Sequence, residues 1–232
     1  MIPSSLNVTK IDPFNADEPL LKLYEEAIQK AQGGQADNLL KRMRFFVLAQ
    51  AAVMACRRFP DLDFVECGCF HGHSTYMLGT LLTEYGFKGR LKVFDSFEGL
   101  SEFDDRDKSQ FINTSEAIQK TRKHYRADFE SVSALLAPFD FVDLFKGWIP
   151  ERFPEIAEGR FGFISIDVDL YQPIRDSLEF LYPRLCEGGL VYLDDYGFNS
   201  FPGARKAVDE YFATHPPTTF LRMPFGSAFA VK

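Results

Sequence analysis

The sequence predicts an α/β fold in which a doubly wound, mostly parallel sheet carries helices on both faces. Three observations lead there. Short apolar runs alternate with helically spaced segments through five strands. A pair of short apolar runs separated by Pro-Phe-Gly then closes the chain, which adds an antiparallel hairpin at one edge. No internal repeat, low-complexity tract or linker divides the rest.

The elements follow in order. Residues 1 to about 38 are mixed and include a helical pattern, "EPLLKLYEEAIQKAQ". "NLLKRMRFFVLAQAAVMACRRF" has helical apolar spacing and good helix formers. After "PDLD" comes a buried strand, "FVECG". Gly72 then ends a turn, and Ser74 or Thr75 is expected to cap a helix that Gly86 stops. "RLKVFDS" is the second strand. The acidic stretch from Phe97 to Asp107 reads as a loop, and "TSEAIQKTRKHYRADF" as a helix opened by a capping box of Thr114 or Ser115 with Glu116. "FVDLFKGW" is the third strand, "IPERFPEIA" a short helix and "FGFISIDVD" the fourth strand. Next come the helix "YQPIRDSLEFLYPRL", the fifth strand "GGLVYLDDY", and a helix with Pro202 in its first turn. "TTFLRMP" and "SAFAVK" form the closing pair.

Composition limits what such a sheet serves. A chain of 232 residues, 46% hydrophobic with 25 phenylalanines, buries a sizeable core. A formal charge of −7 argues against a nucleic-acid partner, because affinity for a phosphate backbone needs a basic surface. No apolar run is long enough to span a bilayer, and the first residues lack the basic-then-apolar profile of a signal peptide, so no membrane association and a cytoplasmic location are expected. The four cysteines show no disulfide-framework spacing, consistent with a reducing compartment. "CGCFHGH" sets Cys67, Cys69, His71 and His73 at alternate positions, but Gly68 and Gly72 mark a turn that spoils the one-sided ligand set a zinc or iron site would need.

In doubly wound sheets the ligand sits beyond the carboxyl ends of the strands, where the strand order switches. The first strand ends in "ECGCFHG", with glycines that let the backbone approach a ligand, and the second in Asp95, placed to accept hydrogen bonds from ribose hydroxyls. The spacing is G-x-x-x-G after an acid, which differs from the pyrophosphate-binding G-x-G-x-x-G. Together with the lack of a Tyr-x-x-x-Lys pair, it disfavours a nicotinamide-dependent oxidoreductase. Glu66 beneath that loop suits a cationic, sulfonium-bearing ligand better than a pyrophosphate. Candidate ligand contacts are therefore Glu66, Gly68, Phe70 and Gly72 of this stretch and Asp95, with Gly147 and Trp148 after the third strand; Trp148 could equally be packing.

Two acids end the fourth strand, Asp167 and Asp169, and two end the fifth, Asp194 and Asp195. Neighbouring parallel strands would bring all four to one mouth, where they repel unless some are protonated or a cation neutralises them. Oxygen-only ligands favour a hard divalent ion such as magnesium. Alternatively, Asp194 and Asp195 cap a loop while Asp167 and Asp169 bind backbone amides.

Taken together, "FVECGCFHGHST", "VFDSFEGL", "GW", "FPE", "IDVDLY", "LDDYG" and "PGARKAVDEYF" resemble the macrocin/mycinamicin-type sugar O-methyltransferases, a class I S-adenosylmethionine-dependent family, from about Phe64 to the C-terminus. The resemblance implies a Rossmann-like methyltransferase fold with a seven-stranded sheet. It implies S-adenosyl-L-methionine (SAM) beside Glu66, Gly68, Ser74, Asp95 and Ser96, and Mg2+ on Asp167, Asp194 and Asp195. It also implies Asp169 as catalytic base, and a small-molecule hydroxyl acceptor, most simply a sugar or glycosylated natural product. Residues 1–45 are expected to form a helical lid or extension and residues 46–232 a single catalytic domain. A noncatalytic scaffold of the same fold is the rival reading. Self-association as a homo-oligomer would suit the apolar faces of such a sheet.

Overall fold

The computed structural model describes residues 18–31 and 37–232; the remainder of the expected N-terminal extension lies outside the described residues. Two helices come first, α1 (Pro19–Lys30) and α2 (Leu39–Arg58). Proline sets the start of α1, where its missing N–H costs nothing, and the Asn38 side chain caps α2 by accepting from Lys41 N at 2.9 Å. Helix α2 runs without a break through the position between residues 45 and 46, where the division into extension and domain was expected.

The alternating region follows as β1 (Asp63–Cys67), α3 (His73–Glu84), β2 (Leu91–Asp95), α4 (Ser115–His124), α5 (Phe129–Leu136), β3 (Val142–Lys146), β4 (Phe161–Ile166), α6 (Tyr171–Leu181), β5 (Leu185–Leu193) and α7 (Pro202–Thr214), and the chain closes on β6 (Thr219–Arg222) and β7 (Ala228–Val231). Among the described residues these strands form one seven-stranded sheet, ordered β3-β2-β1-β4-β5-β7-β6. Strands β1 to β5 pair in parallel; β7 runs antiparallel to both β5 and β6. The expected fold class is the observed one.

Local chemistry departs from expectation in three places. Gly72, at φ +80°, occupies the N-cap of α3 with no side-chain cap, so neither Ser74 nor Thr75 caps that helix. Thr114 caps α4 through Ala117 N at 3.2 Å, but Ala117 stands where a capping box needs an acid, so the reciprocal bond has no donor–acceptor partner. The helical pattern read through Phe129 ends instead at His124, and Asp128, accepting from Ser131 N at 2.9 Å, starts the separate helix α5.

Both faces of the sheet are covered. Phe64, Phe163 and Tyr192 pack on one side against α2 and α3, through residues such as Leu48, Ala52, Leu78 and Leu82. Val65, Cys67, Ile164, Ile166 and Val191 pack on the other against Leu178, Val208 and Tyr211 of α6 and α7. Strand pleating sends successive side chains to opposite faces, and the apolar area removed from water contributes roughly 25 cal/mol per Å2 on each. The same alternation puts Glu66 on the Phe64 side, directly under the first turn of α3.

Candidate active site

Strand register builds the mouth. Cys67 pairs with Ile166 and Ile166 with Leu193, so the next residues, Gly68, Asp167 and Asp194, emerge as one layer. Backbone bonds carry that layer one step past the strands: Asp167 N donates to Cys67 O at 2.9 Å, and Asp194 N to Ile166 O at 3.0 Å. The strand order reverses between β1 and β4, and a cavity of about 280 Å3 opens above that point.

One side of the cavity is the β1–α3 loop. Gly68 has φ +86° and Phe70 φ +50°, conformations that L side chains seldom adopt, and Gly68 packs against the Asp167 carbonyl so closely that a Cβ would sit 1.8 Å from it. Asp95 fastens the loop: its carboxylate accepts from Cys69 N and Phe70 N, both at 2.9 Å, and from Phe97 N at 2.7 Å. The Cys69 thiol also hydrogen-bonds to this carboxylate, which lines the cavity. Ser96 is bound into the following turn, donating to Gly99 O at 2.9 Å. Gly68, Phe70, Ser74, Asp95, Ser96, Gly147 and the half-buried Trp148 line the cavity, whereas Glu66 and Gly72 do not. Gly72 faces Val132 and Leu135 of α5.

Glu66 lies beneath the loop, fully buried, and accepts from Thr75 Oγ1 at 2.6 Å. Ser74 hydrogen-bonds to it as well, which is where the hydroxyls expected at the helix cap are used. Burial raises the Glu66 carboxyl to about 7; these hydroxyls lower it in part, and Asp167 and Asp95 add to the rise. A carboxyl raised in the folded state contributes stability that is complete below its unfolded value near 4.5 and lost as pH climbs through 7. Glu66→Gln is therefore expected to flatten the stability profile between pH 5 and 8 and to exceed the parent above pH 7 by up to roughly 3 kcal/mol, read from urea unfolding at each pH.

The loop histidines separate. His73 is 6% exposed, its ring 4.9 Å from that of Tyr24 and 4.3 Å from that of Phe45, with Nε2 3.3 Å from Tyr24 O. Burial, then Lys41, lowers it to about 3, so it stays neutral and docks α1 and α2 on the loop. His71 lines the cavity edge-on to Phe70, and burial lowers it too. Cys67 and Cys69 are buried free thiols, and no metal-ligand group forms around "CGCFHGH" among the described residues.

Acids form the opposite wall. Oxygens of Asp167, Asp194 and Asp195 lie within 4.8 Å of one another, the one such group among the described residues. Asp169, at φ +57°, donates its backbone N–H to Asp195 Oδ2 at 3.0 Å and also faces the cavity. Burial pushes Asp169 and Asp195 well above the usual carboxylate range, neighbouring aspartates push further, and Arg44 opposes the shift. Burial raises Asp167 as well. Asp194 is held differently: Tyr192 Oη donates to its Oδ1 at 3.1 Å, while its Oδ2 accepts no hydrogen bond and is met by the Arg44 guanidinium. Three hard oxygens with a buried one lacking a hydrogen bond are a donor set that fits a divalent ion such as magnesium.

Sequence reading did not single out Lys41 and Arg44, both of which line the cavity from α2. Their spacing was visible: Lys41 and Arg44, three residues apart in α2, fall on one helix face, with Phe45 and Leu48 beside them. Asp107 of the acidic loop also went unmarked. It is 1% exposed and accepts from Tyr171 N at 2.7 Å and Asp104 N at 3.1 Å, which ties that loop to the start of α6.

A family profile described as Macrocin-O-methyltransferase (TylF) matches residues 34–222. The chain is 34% identical over 156 residues to the 8-demethyl-8-(2,3-dimethoxy-alpha-L-rhamnosyl)-tetracenomycin-C 4'-O-methyltransferase of Streptomyces olivaceus, which covers 64% of this chain and 57% of that protein. It is 27% identical over 157 residues to the demethyldecarbamoylnovobiocin O-methyltransferase of Streptomyces niveus, covering 65% and 58%. The matches thus span under two thirds of either relative. The solved O-methyltransferase NovP superposes with a TM-score of 0.69 at 22% identity, over 82% of this chain and 79% of that one. Among the described residues no helix is long and apolar enough to cross a membrane.

Proposed function

Because the chain belongs to the macrocin O-methyltransferase (TylF) family, we propose that it transfers a methyl group from SAM to a hydroxyl of a sugar or glycosylated natural product, with Mg2+ held by Asp167, Asp194 and Asp195. The observation that carries this reading is the shared mouth: a donor loop fastened by Asp95 faces three converging carboxylates and Asp169 across one cavity. The first relative's description names a rhamnosyl-bearing tetracenomycin and the second's a novobiocin derivative, which supports the acceptor class. Four free cysteines agree with a reducing cytoplasmic setting.

SAM supplies a methyl carbon already activated on sulfonium, and a divalent ion supplies Lewis acidity to a neighbouring hydroxyl. The protein then has two tasks, positioning and proton removal. Gly68, Gly147 and Trp148 shape the donor side, and the Asp95 carboxylate in the cavity lining suits a ribose hydroxyl. The acidic wall suits a cationic sulfonium. Asp169 takes the acceptor proton: it lines the cavity outside the three-carboxylate group, and its backbone is tied to Asp195.

Calorimetric titration with S-adenosylhomocysteine tests the donor half. The protein is expected to bind it, and Asp95→Ala to weaken binding by about tenfold or more, since three loop amides lose their acceptor at roughly 1 kcal/mol each. Absence of binding by the unaltered protein would sink the methyltransferase reading.

A further inference from the structure

We propose that Arg44 is an internal counter-ion that a divalent cation must displace from Asp194, so that metal binding and the seating of α2 over the mouth are coupled. This inference rests on the magnesium reading above and deepens it.

The two oxygens of Asp194 are committed differently. Tyr192 takes Oδ1, and Tyr192 Oη also lies 3.1 Å from the Arg44 carbonyl, so one phenol ties the acid to the helix that carries its cation. Oδ2 is the oxygen left for a metal, and Arg44 Nη1 rests on it. A guanidinium and a divalent ion at one oxygen repel strongly in so buried a place, where Arg44 is 14% and Asp194 6% exposed at the side chain. The two cations are therefore alternatives.

Arg44 is also held in a way that permits release. A structural arginine on a carboxylate commonly engages it as a two-pronged fork. Here contact is made through Nη1, while Nε is buried without a hydrogen-bond partner among the described residues. The guanidinium also lies 5.0 Å from the Phe198 ring in the β5–α7 loop, a cation–π partner independent of Asp194. Without metal, the guanidinium offsets part of the charge of Asp167, Asp169, Asp194 and Asp195. With metal, that role passes to the ion.

Three measurements on the full chain test this. Calorimetric titration of metal-free protein with MgCl2 is expected to show Arg44→Gln binding roughly tenfold more tightly than the parent, with Arg44→Lys, which keeps the charge, near the parent. The rise in Tm on adding MgCl2 is expected to be larger for Arg44→Gln, because its metal-free form starts from an uncompensated cluster. Should Arg44→Gln fail to fold, the unaltered protein answers alone: the 15N–1H resonance of Arg44 Nε, assigned by its loss in Arg44→Lys, is expected to shift on adding Mg2+. Equal or weaker Mg2+ binding by Arg44→Gln, or a resonance unmoved by saturating Mg2+, overturns the displacement while leaving the magnesium site intact. No Mg2+ binding by either protein removes the magnesium site and this inference together.

Discussion

Asp169→Asn is expected to lower kcat by about 10²–10⁴-fold, the usual contribution of a positioned general base, with S-adenosylhomocysteine affinity within a few-fold of the parent. Asparagine is the informative substitution for a backbone reason. Asp169 sits at φ +57°, a conformation that asparagine tolerates better than alanine or any β-branched residue, so loss of the carboxylate is not compounded by backbone strain. The backbone N–H that donates to Asp195 Oδ2 is kept, and with it the anchoring of the turn between β4 and α6. Asp169 is also outside the three-carboxylate group, so Mg2+ affinity is expected to change much less than turnover. Single-turnover methylation with a hydroxylated acceptor, followed beside the two binding titrations, separates these effects. Turnover within threefold of the parent would remove Asp169 from the role of base.

Gly68→Ala is expected to destabilise the fold by about 3 kcal/mol or more, read as a shift of the urea midpoint at unchanged slope. The added Cβ would meet the Asp167 carbonyl oxygen at 1.8 Å, and that oxygen belongs to backbone, which has no rotamer to swing aside. The position is also at φ +86°. Relief requires the loop to lift off β4, which breaks the bond from Gly68 N to Phe94 O at 2.8 Å or the one from Asp167 N to Cys67 O. The donor side and the acidic wall meet at this one backbone contact. Donor affinity and metal affinity are therefore expected to fall together in Gly68→Ala, whereas Asp95→Ala weakens the first alone.

Much of this site was legible because sheet geometry converts sequence position into space. The glycine loop ends β1, Asp95 ends β2, and the aspartate pairs follow β4 and β5, so once the strands are placed the parallel order brings their ends to one edge. What stayed hidden depended on tertiary approach. Arg44 meets an acid 150 positions away, and Asp107 caps the backbone of Tyr171 from a loop 64 residues earlier. Nothing in "RMRF" or "DDRDK" reports those distances. Ser74 and Thr75 illustrate a different limit: local rules assign small hydroxyls near a helix start to capping, but the pleat of β1 puts a buried carboxylate underneath, and a buried acid is the more demanding partner. The second helix after the acidic loop was missed because Asp128 breaks the run in mid-pattern and caps a new start.

The in-register layer of Gly68, Asp167 and Asp194 has a consequence for how this protein tolerates change over generations. Irregularities in the pairing of β4 occur near its beginning, around Asp63/Phe64 and Phe161/Phe163, while the rungs leading to the mouth are unbroken. Substitutions within Ile164–Ile166 leave the spacing of the layer intact. Loss or gain of one codon there would not: the ladder would slip by one residue, and Val168 or Ile166 would stand where Asp167 now does. Reading-frame-preserving insertions and deletions should thus be purged from the second half of β4 more sharply than amino-acid exchanges, and accumulate in the entry half, where the bulges already absorb them.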